Sequence, residues 1–257
     1  MNGSEYKKEL SKIKDIGRQF MERTRFKYLG ISDQAMGLKQ PPLEKEFNEN
    51  QKFISLPNPR EVEIKEISLR EAINNRVSHR SFSKAPMTLE ELSFLLWCTQ
   101  GIKKIAPRTA TFRTVPSAGA RHAFETYLLL NNVSELSPGL YRYSALHHML
   151  AEINLEPALR EDIHQACLRQ SFIKESGATF IWSAVSRRMK WRYGERSYRY
   201  LHLDAGHVCQ NLYLGAEAVD CGVCAVAAFM DDEMNEILHL DGVEEFVIYL
   251  AAVGKTG

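Results

Sequence analysis

The chain has 257 residues, with 33 Lys and Arg against 32 Asp and Glu, so its formal net charge is +1. That balance excludes bulk-charge attraction to nucleic acid or to anionic lipid, and 44% apolar with 25% charged residues excludes a disordered chain. With no apolar run as long as a membrane span and five cysteines that form no even disulfide set, membrane channels and small secreted scaffolds are excluded too.

The first residues lack the apolar core of a secretory signal, so a cytoplasmic protein with reduced thiols is expected. Residues 5–28 read as one amphipathic packing helix, with Tyr6, Leu10, Ile13, Ile16 and Phe20 on one stripe. Residues 41–60 hold Pro41, Pro42, Pro57 and Pro59, which resist helix and predict an extended surface arm. Residues 1–60 are thus expected to be a helix plus arm, and residues 61–257 the main domain.

Ser68 followed by Glu71, and Thr88 followed by Glu91, are capping-box pairs that predict two helices. Phe124 to Leu130 predicts a strand, and Leu140 to Tyr143 with His148 to Ile153 a hairpin. Residues 157–170 predict a helix and Ala178 to Val185 a strand. Ala205 to Val219 predicts a buried helix, with Val208, Leu212, Ala216 and Val219 in register. A short helix over 232–239, with Asp231 as N-cap, and an apolar strand from Phe246 to Val253 complete the chain. Helices mixed with hairpins predict an α+β fold with an antiparallel or mixed sheet.

No G-x-G-x-x-G, Walker or G-x-S-x-G string occurs. The His202-x-Asp204-x-x-His207 string sits on an apolar helix and reads as a core or interface histidine pair rather than a metal site. Cys221-x-x-Cys224 lacks two further ligands and reads as buried structural thiols. No metal is expected. Residues 92–124 carry Lys103, Lys104, Arg108, Arg113 and Arg121 without an acid. Residues 187–199 carry six basic side chains against Glu195 alone. Cations gathered this way suit a compact anion such as phosphate, or else a solvated basic face.

Arg76-x-Ser78-x-Arg80 places two guanidiniums and a hydroxyl at alternate positions, which on an extended segment share one side. Three more pieces follow in order: Arg113 to Ala120, a tight loop of small residues; Trp191 to Arg196, leading into a long helix; and Cys221 to Phe229, with Val253-Gly254-Lys255 at the end. Together they resemble the nitroreductase-like flavoproteins, in particular the SagB/ThcOx dehydrogenase branch, over residues 67–255.

The resemblance implies a homodimer with one FMN per site at the subunit interface, and hydride transfer through the flavin N5 in ping-pong with NAD(P)H or the substrate itself. It assigns Arg76, Ser78 and Arg80 to the FMN phosphate and ribityl end, with Lys255 as a late phosphate contact. It assigns Pro116, Ser117, Ala118 and Gly119 to the isoalloxazine, from the partner subunit, and places Ala227 and Ala228 where a backbone N–H faces N5. Arg192 and Tyr193 occupy the place of a Lys-Tyr pair in relatives that oxidise azoline rings. Arginine stays protonated, so Arg192 is no base, while Tyr193 can donate or accept a proton. Azoline oxidation in peptide biosynthesis, or a flavin-binding subunit without turnover, are the alternatives.

Overall fold

The computed structural model describes residues 13–48, 50–106 and 110–257. Tyr6 and Leu10 of the expected first helix lie outside those residues. What is described of it is shorter than expected: α1 (Ile16–Arg23), then a single tight turn over Phe26–Tyr28. At its end the Thr24 hydroxyl turns back to the Phe20 carbonyl, and Arg196 Nη1 donates to the Thr24 carbonyl at 2.7 Å. No residue of α1 is buried, so among the described residues nothing covers its apolar face.

The proline arm is extended, and it is fastened rather than loose. Glu44 accepts from Ser144 Oγ at 2.9 Å and from the Leu146 N–H at 2.8 Å. Arg142 donates to the carbonyls of Lys45 and Glu46, and Arg188 Nε to that of Pro42. The arm then supplies β1 (Phe53–Ser55), so it lies on its own subunit.

Both capping boxes form. Ser68 accepts from the Glu71 N–H and opens α2 (Leu69–Asn75); Thr88 accepts from the Glu91 N–H and opens α3 (Leu89–Gln100). Each cap contributes on the order of 1 kcal/mol. A hairpin of β2 (Ile102–Ala106) and β3 (Ala110–Arg113) follows, which the sequence did not announce. Lys103, Lys104 and Ile105 are all exposed on it, so the alternation that marks a half-buried strand is missing.

The expected strand and hairpin are β4 (Phe124–Leu130), β5 (Gly139–Ser144) and β6 (Met149–Asn154). Then come α4 (Leu159–Ala166), α5 (Phe172–Glu175) and β7 (Ala178–Val185). An unexpected helix, α6 (Ser186–Tyr193), hides behind its basic composition, yet it buries Arg188, Met189 and Trp191. The long helix α7 (Ser197–Glu217) begins eight residues before Ala205, because its Tyr- and Arg-rich first turns are only half covered and give no apolar stripe. β8 (Cys221–Val226), α8 (Asp231–Ile237) and β9 (Glu245–Lys255) end the chain; Met230, not Asp231, is the N-cap of α8.

Seven strands pair antiparallel in the order β1-β6-β5-β4-β7-β9-β8. The central strands are covered on both faces. Phe180 and Trp182 of β7 join a core with Leu92 and Leu95 of α3 and Val208 and Leu212 of α7. Ile181, one residue out of phase, joins Ile163 of α4 and Met234 of α8 on the other face. The same alternation separates Cys221 from Cys224: the first belongs to one core, the second to the other. Both are buried and free, so this pair is structural. No helix among the described residues is long and apolar enough to cross a membrane.

Candidate active site

The residues singled out by sequence fall into two clusters at the two halves of α7. The first gathers at its C-terminal half. Ser78 forms a bridge with Val223, which lays the Arg76–Arg80 segment along the free edge of β8. Ser78 Oγ and Tyr213 Oη share a hydrogen bond of 3.0 Å, and Tyr213 Oη accepts from the Ala225 N–H at 2.9 Å. The Arg76 guanidinium lies 5.3 Å from the centre of the Tyr213 ring. Arg80 is exposed and near Cys224; burial raises that thiol's pKa and Arg80 opposes the shift.

Neither the Arg76 nor the Arg80 guanidinium has a hydrogen-bonded or carboxylate partner among the described residues. The N–H groups of Ala227 and Ala228, on the exposed turn after β8, likewise donate to nothing there, while the Ala228 carbonyl accepts from Gln170. Lys255 lies on β9, the strand next to that edge, paired with Cys221, but its Nζ is held by Glu91 at 2.7 Å and by the Val219 carbonyl at 2.8 Å.

The second cluster is at the N-terminal half of α7. Asp204, buried on that helix, accepts from the Ala118 N–H at 3.3 Å and from the Ser117 hydroxyl. Burial raises its pKa; these two donors and His207 pull it back. His207 itself is half exposed, its ring 4.0 Å from Asp204, so it is not the core histidine its position suggests. The loop is tightly folded, with Gly119, Ala120 and His122 all left-handed, at φ of 59°, 52° and 43°.

Arg192 and Tyr193 stand directly over this loop. A Cβ on Gly119 would lie 2.6 Å from Tyr193 Oη and 2.9 Å from Arg192 Cδ, so only glycine lets the backbone come that close. Pro116 is exposed beside it. Arg121 Nε donates to the Gly119 carbonyl at 2.9 Å, and its guanidinium sits 5.2 Å from the Trp191 ring centre.

His122 anchors the loop from below. Its N–H donates to Ser117 Oγ at 2.9 Å, and its ring bonds the Thr111 backbone. Burial, with Arg113 beside it, depresses its pKa from the ordinary 6.5 to about 3. Between those values the unfolded chain binds a proton that the folded chain refuses, so stability falls as pH drops below about 6.5. Each pH unit costs about 1.4 kcal/mol. His122→Asn does not titrate and tolerates positive φ. From pH 6.5 to pH 5 the wild type is expected to lose about 2 kcal/mol more than this variant in urea unfolding; equal losses would remove His122 as the cause.

The sequence assigns no site role to Asp204, Tyr213 or His122, and it shows Arg121 only as one of a group of cations suited to an anion. Buried polar groups on the otherwise apolar stripe of α7 were the available signal for the first two. Among the described residues no hydrogen bond or ion pair joins the two clusters directly. Nine residues separate Asp204 from Tyr213, which is about 14 Å of helix and roughly half a rotation.

The model of the nitroreductase family matches residues 73–255. A nitroreductase-like protein of Methanocaldococcus jannaschii is 35% identical over 193 residues, 75% of this chain and 93% of that one. The chain belongs to the nitroreductase family, a family of oxidoreductases. The trifolitoxin-processing protein TfxB of Rhizobium leguminosarum bv. trifolii is 30% identical over 133 residues, half of this chain and 36% of that protein. Among solved structures, a nitroreductase-like protein of Anabaena variabilis superposes with a TM-score of 0.61 at 30% identity, covering 72% of this chain and 37% of that one.

Proposed function

We propose that this protein is an FMN-dependent oxidoreductase that works as a homodimer. The observation that carries the reading is the pair of clusters: a cationic cradle without counter-ions around Arg76, Ser78 and Arg80, and a close-backed loop under Arg192 and Tyr193. The chemistry of the donors fits FMN. Two guanidiniums and a hydroxyl suit a phosphate, whereas Lys255, on the neighbouring strand, is already paired with Glu91. The open N–H groups of Ala227 and Ala228 suit the edge of a flat ring.

FMN held there by Arg76, Ser78 and Arg80 would supply hydride-transfer chemistry between NAD(P)H and a second molecule. The chain's own part is positional. Arg76 and Arg80 fix one end of the cofactor. Pro116, Ser117, Ala118 and Gly119 offer backbone at van der Waals range, and Asp204 and His122 hold that loop still. Tyr193 Oη is placed over Gly119 to hold or pass a proton, and Arg192 supplies fixed positive charge. The separation of the clusters along α7 supports a dimer in which the loop of one subunit completes the cradle of its partner.

The likeness to TfxB supports a narrower reading, a dehydrogenase of peptide-derived azoline rings in the SagB branch. Arg192 weighs against it, since a permanently charged side chain does not take up a proton.

The deciding experiment is the absorption spectrum of the purified protein, with the released chromophore identified by chromatography, followed by NAD(P)H oxidation with a quinone or nitroaromatic acceptor. A yellow dimer that releases FMN and turns over is expected. Colourless protein that takes up no added FMN would overturn the assignment, and bound FMN without turnover would favour a scaffold subunit.

A further inference from the structure

Some of the basic side chains that crowd residues 92–124 and 187–199 have internal work, while Lys103, Lys104 and Arg187 are exposed. Arg113 bonds Gln100 and Thr111 in the core, Arg188 pairs with Glu125, and Arg196 and Arg199 hold Thr24. Arg121 and Arg192 are set apart by a shared neighbour. They flank the same residue, Gly119, one bonded to its carbonyl and the other in contact with it. Neither makes an ion pair with any described residue. The neighbouring acids are committed elsewhere: Asp204 to Ser117 and Ala118, and Glu195 to Lys190 at 3.6 Å.

Two like charges held together in a partly dry place repel one another, and the fold gains nothing from it. Arg121 feels this: burial and then the charge of Arg192 lower its pKa. The Arg121 guanidinium lies 5.2 Å from the Trp191 ring centre and the Arg192 guanidinium 5.7 Å from that of Tyr193, so each cation rests against an aromatic ring. Two forks without a counter-ion are the donor set for an oxyanion.

We propose that Arg121 and Arg192 form an oxyanion-binding subsite above Gly119, and that the substrate of this enzyme carries a carboxylate or phosphate group that the pair holds. The position of the subsite over the reactive loop rests on the flavoprotein reading; the anion binding itself does not. Both oxyanions present oxygens that a guanidinium fork can take two at a time. The charge is then supplied by the ligand, which relieves the repulsion on binding. An uncharged analogue of the same shape leaves it in place.

The test is calorimetric titration of the purified dimer with benzoate, phenyl phosphate and benzamide, without turnover. At least one of the two anions is expected to bind about tenfold or more tighter than benzamide, and which one does so identifies the group. Arg192 is exposed, so Arg192→Gln should fold normally and is expected to lower that anion's affinity about tenfold while leaving benzamide unchanged. Arg192→Lys, which keeps the charge but not the fork, should fall between. Arg121→Gln should repeat the loss where it folds, but Arg192→Gln alone decides. Equal binding of all three compounds, no measurable anion binding, or an Arg192→Gln affinity within twofold of wild type would overturn the proposal. Protein that carries no flavin yet binds the anion would sink the functional reading and leave this one standing.

Discussion

Replacing both Arg76 and Arg80 with alanine is expected to give a colourless protein that folds like the wild type. Both side chains reach solvent, and neither is bonded to the rest of the chain, so little folding energy is lost with them. Each would give a phosphate one or more charge-assisted hydrogen bonds, worth about 1.5 to 3 kcal/mol apiece. The double variant therefore forfeits roughly 3 to 6 kcal/mol of FMN binding, a loss of about a hundredfold to ten-thousandfold. Fluorescence titration of flavin-stripped protein measures it, with circular dichroism confirming the fold. Retention of FMN at full occupancy would dismiss the phosphate cradle.

The largest expected effect on stability lies far from that cradle, at Glu125. Its carboxylate meets the Arg188 guanidinium, and the two side chains are 1% and 4% exposed. Glu125 also accepts the Lys45 N–H at 2.8 Å, so the arm depends on it as well. Glu125→Gln keeps the shape but leaves the buried Arg188 charge without its partner, which costs about 3 to 5 kcal/mol. For a chain of this size the melting temperature should fall by roughly 6 to 20 °C. Adding Arg188→Met removes the stranded charge, so the double variant should be more stable than the single one. If the second change deepens the loss instead, packing and not charge is the main role of the pair.

Much of this fold can be read from local chemistry. The two capping boxes mark their helices to the residue, because hydroxyl and carboxylate side chains are needed at fixed offsets from a helix start. Ala178–Val185 is legible as a strand because the run has the right length and is apolar throughout. What escapes is whatever tertiary contacts decide. The basic helix α6 looks solvated until Glu125 and the arm appear around Arg188. The amphipathic face of α1 predicts burial, but no part of the described chain covers Ile16 or Met21.

At the candidate site the same division holds. Arg76-x-Ser78-x-Arg80 is visible as a string, since alternate residues of an extended segment share a side. The loop at Gly119 is visible as small residues, but its nearness to Arg192 and Tyr193 is not, because more than seventy positions separate them in the chain. Asp204 is visible within the His202 to His207 string, but its bond to the loop is not, because Ala118 lies 86 positions earlier.

Helix α7 grips the Ser117–Ala118 loop through Asp204 near one end and the Ser78 segment through Tyr213 near the other. A rigid strut fastened at both ends makes the two grips thermodynamically accountable to each other. Any factor by which a ligand at one end is held more firmly once the other end is filled must be returned in full in the opposite direction.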